Sequence, residues 1–173
     1  GSFRYFGALI YKVLSLLNHN PILNSSADII FYVVLIPAVV SVVVTEFIKC
    51  LKSNELSSII TVDAAVLISI YNVWFCDILS FPEGIVITTI GITLCFSALI
   101  MLVRSKKLRH FILVSVLLVL STAVYQQFIS VFTIFAIAYC GIFTVKNEDE
   151  KLIIINYFKS ATVIIVSGII YFV

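Results

Sequence analysis

Long apolar runs separated by short polar or basic clusters are what most limit the folds open to this chain. Residues 28–48, 56–71, 83–103, 111–124, 128–144 and 153–173 are each dominated by Ile, Val, Leu, Phe and Ala. Hydrophobic residues make up 62% of the 173 positions and charged residues only 12%, too few to surface a soluble core. Mean hydropathy is +1.20, and the solvent for such a chain is lipid. In lipid every backbone polar group must find a partner within the chain, which leaves helices. The expectation is an all-α polytopic transmembrane bundle of about six crossings plus one amphipathic interfacial helix. It forms a single domain over residues 1–173, with the transmembrane helices in 28–173, since no linker, repeat or low-complexity tract divides it. The net charge of +2 gives no reason to expect nucleic acid as a partner, whereas membrane lipids follow from composition.

The chain opens at Gly1 without Met and ends at Val173 inside an apolar run, so a piece of a longer protein, inactive alone, is expected. No signal-peptide pattern is present. Cys50, Cys76, Cys95 and Cys140 are dispersed, without the spacing of a zinc site or a disulfide framework. No cofactor is indicated, and the residues are silent on a divalent metal ion.

Between residues 3 and 17, Phe3, Phe6, Ile10, Val13, Leu14 and Leu17 recur at helical spacing, opposite Arg4, Ala8, Lys12 and Ser15. This segment is short for a hydrocarbon layer of about 30 Å, so it is expected to lie in the interface. The segment 18–21, ending in Pro21, stops it. Lys49, Lys52, Arg104, Lys106, Lys107, Arg109, Lys146, Lys151 and Lys159 fall on one set of helix ends, and Arg4 and Lys12 on the other. Because translocation is biased against Lys and Arg, the first set is expected in the cytoplasm. The interfacial helix, the 72–82 loop and Tyr125-Gln126-Gln127 then share the outer side.

Candidate chemistry gathers on that outer side. If the helix from Leu56 stops near Tyr71 it covers only about 22 Å, so part of the loop holding Asn72, Trp74, Asp77, Ser80 and Pro82 would sit below the membrane surface. Asp77 and Glu83 are candidate general bases, because a carboxylate in a low-dielectric recess has a raised pKa and binds hydroxyls. The competing readings are a solvated loop residue for Asp77 and a helix-end residue for Glu83. Tyr125, Gln126 and Gln127 sit where two apolar helices meet. Their partner is either a sugar or the turn's own backbone. Arg4 and Lys12 are candidates to clamp a phosphate, or else they attract anionic lipid. His19 lacks further ligands at metal spacing, His110 belongs to the basic cytoplasmic cluster, and Asp63 within the second run is expected to face protein or to sit near the cytoplasmic end. Gly84 and Gly91 are expected to permit close helix packing.

The segment Ser121-Thr122-Ala123-Val124-Tyr125-Gln126-Gln127-Phe128-Ile129-Ser130-Val131-Phe132 resembles the Tyr-Gln hairpin of the serotype-converting glucosyltransferases of enteric bacteria and their phages. Those are multi-pass enzymes of the C-type glycosyltransferase superfold. The surrounding order is also similar: an early Arg in an amphipathic helix (Arg4), an Asn-aromatic stretch (Asn72-Val73-Trp74-Phe75) and a long crossing from Glu83. The resemblance implies a hexosyltransferase that takes a sugar from a polyprenyl-phosphate carrier and adds it to lipid-linked O-antigen on the periplasmic side of the bacterial inner membrane. It places Arg4, Tyr125 and Gln126 at matching positions, while Lys12, Gln127 and Trp74 are substrate-binding candidates from their expected place on the outer side. Asp77 and Glu83 rest on their expected location, since the loop lacks the family's Asn-Pro opening after Tyr71. Such enzymes usually carry acidic residues in a first outer loop, which would precede Phe3. A transporter and a non-catalytic membrane subunit are the alternatives from other classes.

Overall fold

The computed structural model describes residues 5–17, 20, 25–51, 60, 82–104, 108–146 and 150–172. Among these, six helices follow in order: α1 (Tyr5–Leu16), α2 (Ser25–Leu51), α3 (Pro82–Arg104), α4 (Leu108–Val124), α5 (Phe128–Lys146) and α6 (Glu150–Phe172). Four of them, α2, α3, α5 and α6, contain stretches long and apolar enough to cross a membrane. The fifth apolar helix, α4, has 17 residues and is about 25 Å long, short of the hydrocarbon thickness of about 30 Å. Of the expected run 56–71, only Ile60 lies within the described residues; the described residues are all-α with four candidate crossings, and the expected count of about six is not established.

Helix ends follow local chemistry. Pro82 opens α3, where its missing N–H costs nothing. Asp28 occupies the first turn of α2, the end of a helix that favours negative charge. Pro37 lies inside the unbroken α2, and its carbonyl accepts a hydrogen bond from Ser41 Oγ at 2.8 Å.

The core is a set of apolar stripes facing inward from each helix. Ile36, Val40, Val43 and Phe47 of α2 meet Ile92, Phe96 and Leu99 of α3, Leu118 of α4 and Phe132 and Phe135 of α5. Phe135 is the hinge of an aromatic cluster, edge-on to Phe47 at 6.4 Å and to Phe96 at 5.3 Å. Each such pair adds about 0.5–1.5 kcal/mol beyond area burial. Large apolar side chains such as Val34, Ile154, Phe158 and Ile169 remain exposed, as expected of surfaces that face lipid.

Direction is fixed by a few polar contacts. Glu46 accepts from Lys49 Nζ at 2.9 Å and from Arg104 at 2.5 Å, joining the C-terminal ends of α2 and α3, which pack along their length and so run parallel. The carboxylate side chain is only 10% exposed and the two cations 63% and 57%, so the acid is neutralised where solvent is scarce while the bases reach outward. Helix α4 returns antiparallel to α3, and α5 antiparallel to α4 through Tyr125-Gln126-Gln127. Cys140 Sγ lies 3.4 Å from Ser160 Oγ between α5 and α6, and Lys159 Nζ sits 5.7 Å above the Phe111 ring between α6 and α4. Lys49 and Arg104 therefore mark one end of the bundle, and Pro82 and the Tyr125–Gln127 turn face the other, called here the tip end.

Gly91 is the tightest point of the fold. A Cβ there would collide with the Phe128 ring and come within 3.0 Å of Val124 Cγ1, and Phe128 is wholly buried. Close packing is the role expected of this glycine. The Gly91→Ala variant should destabilise the protein by about 1–3 kcal/mol, read as a lowered thermal midpoint in detergent. Because Glu46 is the shielded partner, Arg104→Ala should lower that midpoint more than Lys49→Ala, whose loss leaves the contact between helices in place.

Candidate functional site

The α4–α5 turn places Tyr125, Gln126 and Gln127 side by side, and several of its backbone groups bond to one another. The Tyr125 N–H bonds to Ser121 O at 3.1 Å, and Phe128, Ser130 and Val131 N–H bond to the Tyr125 and Gln127 carbonyls at 3.0–3.1 Å. These bonds account for the Tyr125 and Phe128 N–H groups and the Tyr125 and Gln127 carbonyls of the turn. Gln126 and Gln127 are exposed, and neither side chain has a hydrogen bond among the described residues. Tyr125 is half-buried, its ring edge-on to Phe128 at 6.3 Å.

The tip is recessed. It is tied to α3 by Ser121 Oγ, which donates to Gly91 O at 2.8 Å, and by Cys95 Sγ, which donates to Phe128 O at 3.5 Å. Gly91 is nine residues into α3, about 14 Å from its start at 1.5 Å per residue, and the turn projects only about one further helical turn. The lengths agree: α3 has 23 residues and α4 has 17, their basic ends are joined by a short connection, and six residues amount to about 9 Å. Helix α3 consequently rises about 10 Å beyond the turn. Two amides stand below the end of a membrane-crossing helix, where a polar side chain is costly unless it meets a partner or water.

Thr88 is a residue that the sequence reading did not single out. Seven helical threonines, Thr45, Thr89, Thr93, Thr122, Thr133, Thr144 and Thr162, donate to the carbonyl one turn back. Thr88 is wholly buried and its Oγ1 has no hydrogen-bond partner among the described residues. It lies seven residues before Cys95, hence on the same face of α3 two turns nearer the tip end. Its sequence signal is the pair Thr88-Thr89 in an otherwise apolar run, which by itself says nothing of which hydroxyl is left over.

The other candidates are placed as follows. Lys12 is exposed on α1, and Ile10, two residues and about 200° away, is the side packed on the core, so Lys12 faces away from the bundle. Its partner in the expected phosphate clamp, Arg4, lies outside the described residues, as do Trp74, Asp77, His19 and Asp63. Glu83 is the second residue of α3, at its N-terminal end. Val13 and Leu17, expected on the apolar face of α1, are exposed, whereas Ile10 and Leu14 are half-buried. Asp28, only 6% exposed, puts a shielded carboxylate at the tip end of α2, with the buried Tyr32 one turn along. Among the described residues no three His, Cys, Asp or Glu side chains gather where they could hold a metal ion. A groove of about 280 Å³ between α5 and α6, lined by Ala136, Ile137, Cys140, Tyr157, Ser160 and Ile164 among others, is almost wholly apolar and does not suit a carbohydrate.

These features define a class: a polytopic helical membrane protein with a polar turn sunk between apolar helices. The family model for Glucosyl transferase GtrII matches residues 1–173, and the chain belongs to that family. It is thus a member of a membrane glucosyltransferase family, as the Tyr-Gln segment implied. No similar protein was found among curated sequences, and none among solved structures.

The recess has a measurable consequence. With Cys50 and Cys76 replaced by Ser and the buried Cys95 and Cys140 retained, Gln127→Cys in liposomes should react with a small polar thiol reagent but resist a bulky one. Ser130→Cys, one turn into α5, should react with both more slowly.

Proposed function

We propose that this chain forms the tip-bearing part of a bacterial inner-membrane hexosyltransferase that moves glucose from a polyprenyl-phosphate donor to lipid-linked O-antigen or a related surface glycan. The observation that carries the reading is the sunken turn, whose two side-chain amides have no hydrogen bond among the described residues. Primary amides and a phenol are donors and acceptors suited to sugar hydroxyls. The periplasmic placement is supported by the charge distribution, since Lys49 and Arg104 stand at the bundle end opposite the turn.

In this reading Tyr125, Gln126 and Gln127 hold the hexose, with Trp74 alongside, and Arg4 faces the donor phosphate at headgroup level. Lys12, turned away from the bundle, assists Arg4 at the lipid surface. A carboxylate, Asp77 or Glu83 in this chain or an acidic residue elsewhere in the full-length protein, takes the proton of the acceptor hydroxyl. The acceptor oxygen then bonds to the anomeric carbon while the bond from that carbon to the phosphate oxygen breaks. The sugar is inverted, and the electron pair leaves on polyprenyl phosphate. Neutralising the phosphate charge makes it a fair leaving group, so electrostatics and positioning supply the catalysis.

Tyr125→Ala, Gln126→Ala or Asp77→Asn in the full-length protein should each abolish sugar transfer from a polyprenyl-phosphate donor while membrane insertion stays intact. Normal transfer in all three removes the assignment. A transporter would instead move substrate without a modified lipid product, and a structural subunit would do neither.

A further inference from the structure

Two buried side-chain hydrogen bonds cross from the α4–α5 hairpin to α3, and they flank the turn. Ser121 precedes Tyr125–Gln127 and binds Gly91 O, while Phe128 follows it and accepts from Cys95. On α3 the two points are four residues apart, one turn of the same face. Between them the Phe128 ring fills the notch left by the missing Gly91 side chain. These contacts add to the core packing of α4 and α5 on α3. Two ties and a steric stop fix both its height and its orientation.

We propose that Ser121, Cys95, Gly91 and Phe128 form a depth clamp: α3 holds the sugar-binding turn about two helical turns below its own end, and transfer requires that depth. The inference rests on the reading of Tyr125–Gln127 as the substrate site. None of the four touches substrate, so they are positioning residues. Their leverage comes from geometry, because a displacement of about 1 Å in a positioned group costs as much as a hundredfold in rate. Ser167 Oγ, which donates to Ser115 O at 3.4 Å between α6 and α4, makes a tie of the same kind away from the turn. It separates positioning from general stability.

The test uses the full-length protein in liposomes, with Cys50 and Cys76 replaced by Ser and a nitroxide at the exposed Ser130→Cys. Power saturation against oxygen and a polar nickel chelate reads label depth, and kcat and KM for the donor are measured on the same samples. The Ser121→Ala/Cys95→Ala double variant should move the label by about 3 Å, two residues of helical rise. It should also lower kcat by about tenfold or more at nearly unchanged KM. Restoring Cys95 as Ser, which can still donate to Phe128 O, should recover most of both, and Ser167→Ala should change neither. An unmoved label, a moved label with normal kcat, or an equal loss of kcat in Ser167→Ala overturns the clamp. Normal transfer by Gln126→Ala and Tyr125→Ala would instead overturn the substrate-site reading, and the label depth would still decide whether the clamp exists.

Discussion

A peptide group in hydrocarbon has no water to turn to, and that single cost shapes every part of this bundle. It makes each apolar run a helix, and it makes hydroxyl side chains donate to the carbonyl one turn back, as Thr89, Thr122 and Ser41 do. It makes the α4–α5 turn bond its own amides to its own carbonyls. It also governs a shielded ion pair between helices, in which Glu46 lies against Arg104 while the guanidinium reaches toward solvent. Groups that escape this rule stand out for that reason. Among the described residues the side chains of Gln126 and Gln127 escape it, and so does the Thr88 hydroxyl.

Packing turns this local rule into a site. Because Gly91 has no side chain, Phe128 seats against the α3 backbone, and α4 can stop short of the length a crossing needs. A helix of about 25 Å beside one of about 34 Å leaves a step, and the step lies where the turn exposes its amides. The polar groups are thereby held about 10 Å short of the end of α3.

Much of this was legible in the residues. The apolar runs gave the helices to within a few residues: 28–48 became Ser25–Leu51, 83–103 became Pro82–Arg104, and 128–144 became Phe128–Lys146. The Tyr-Gln-Gln turn and the packing role of Gly91 were also readable, since a polar triplet between apolar runs and a glycine in one of them are local signals. The face of α1 was read only in part, with Ile10 and Leu14 turned inward but Val13 and Leu17 exposed. Hydrophobic spacing cannot tell lipid from core when both are apolar solvents. Lys12 was placed on the polar face and is exposed there, away from the bundle.

The sequence alone determined that the chain is helical, that it belongs in a membrane, which helix ends carry positive charge and where the hairpin turns, because these depend on composition and on neighbours a few positions apart. Only the tertiary structure decided that Glu46 meets Arg104, 58 residues away, that Ser121 and Phe128 are tied to α3, that the turn lies below the end of its neighbour and that the Thr88 hydroxyl has no partner among the described residues. Those outcomes depend on the register between helices distant in sequence. Register is set by which side chains fit into which gaps, and a one-dimensional pattern of apolar and polar residues does not encode it.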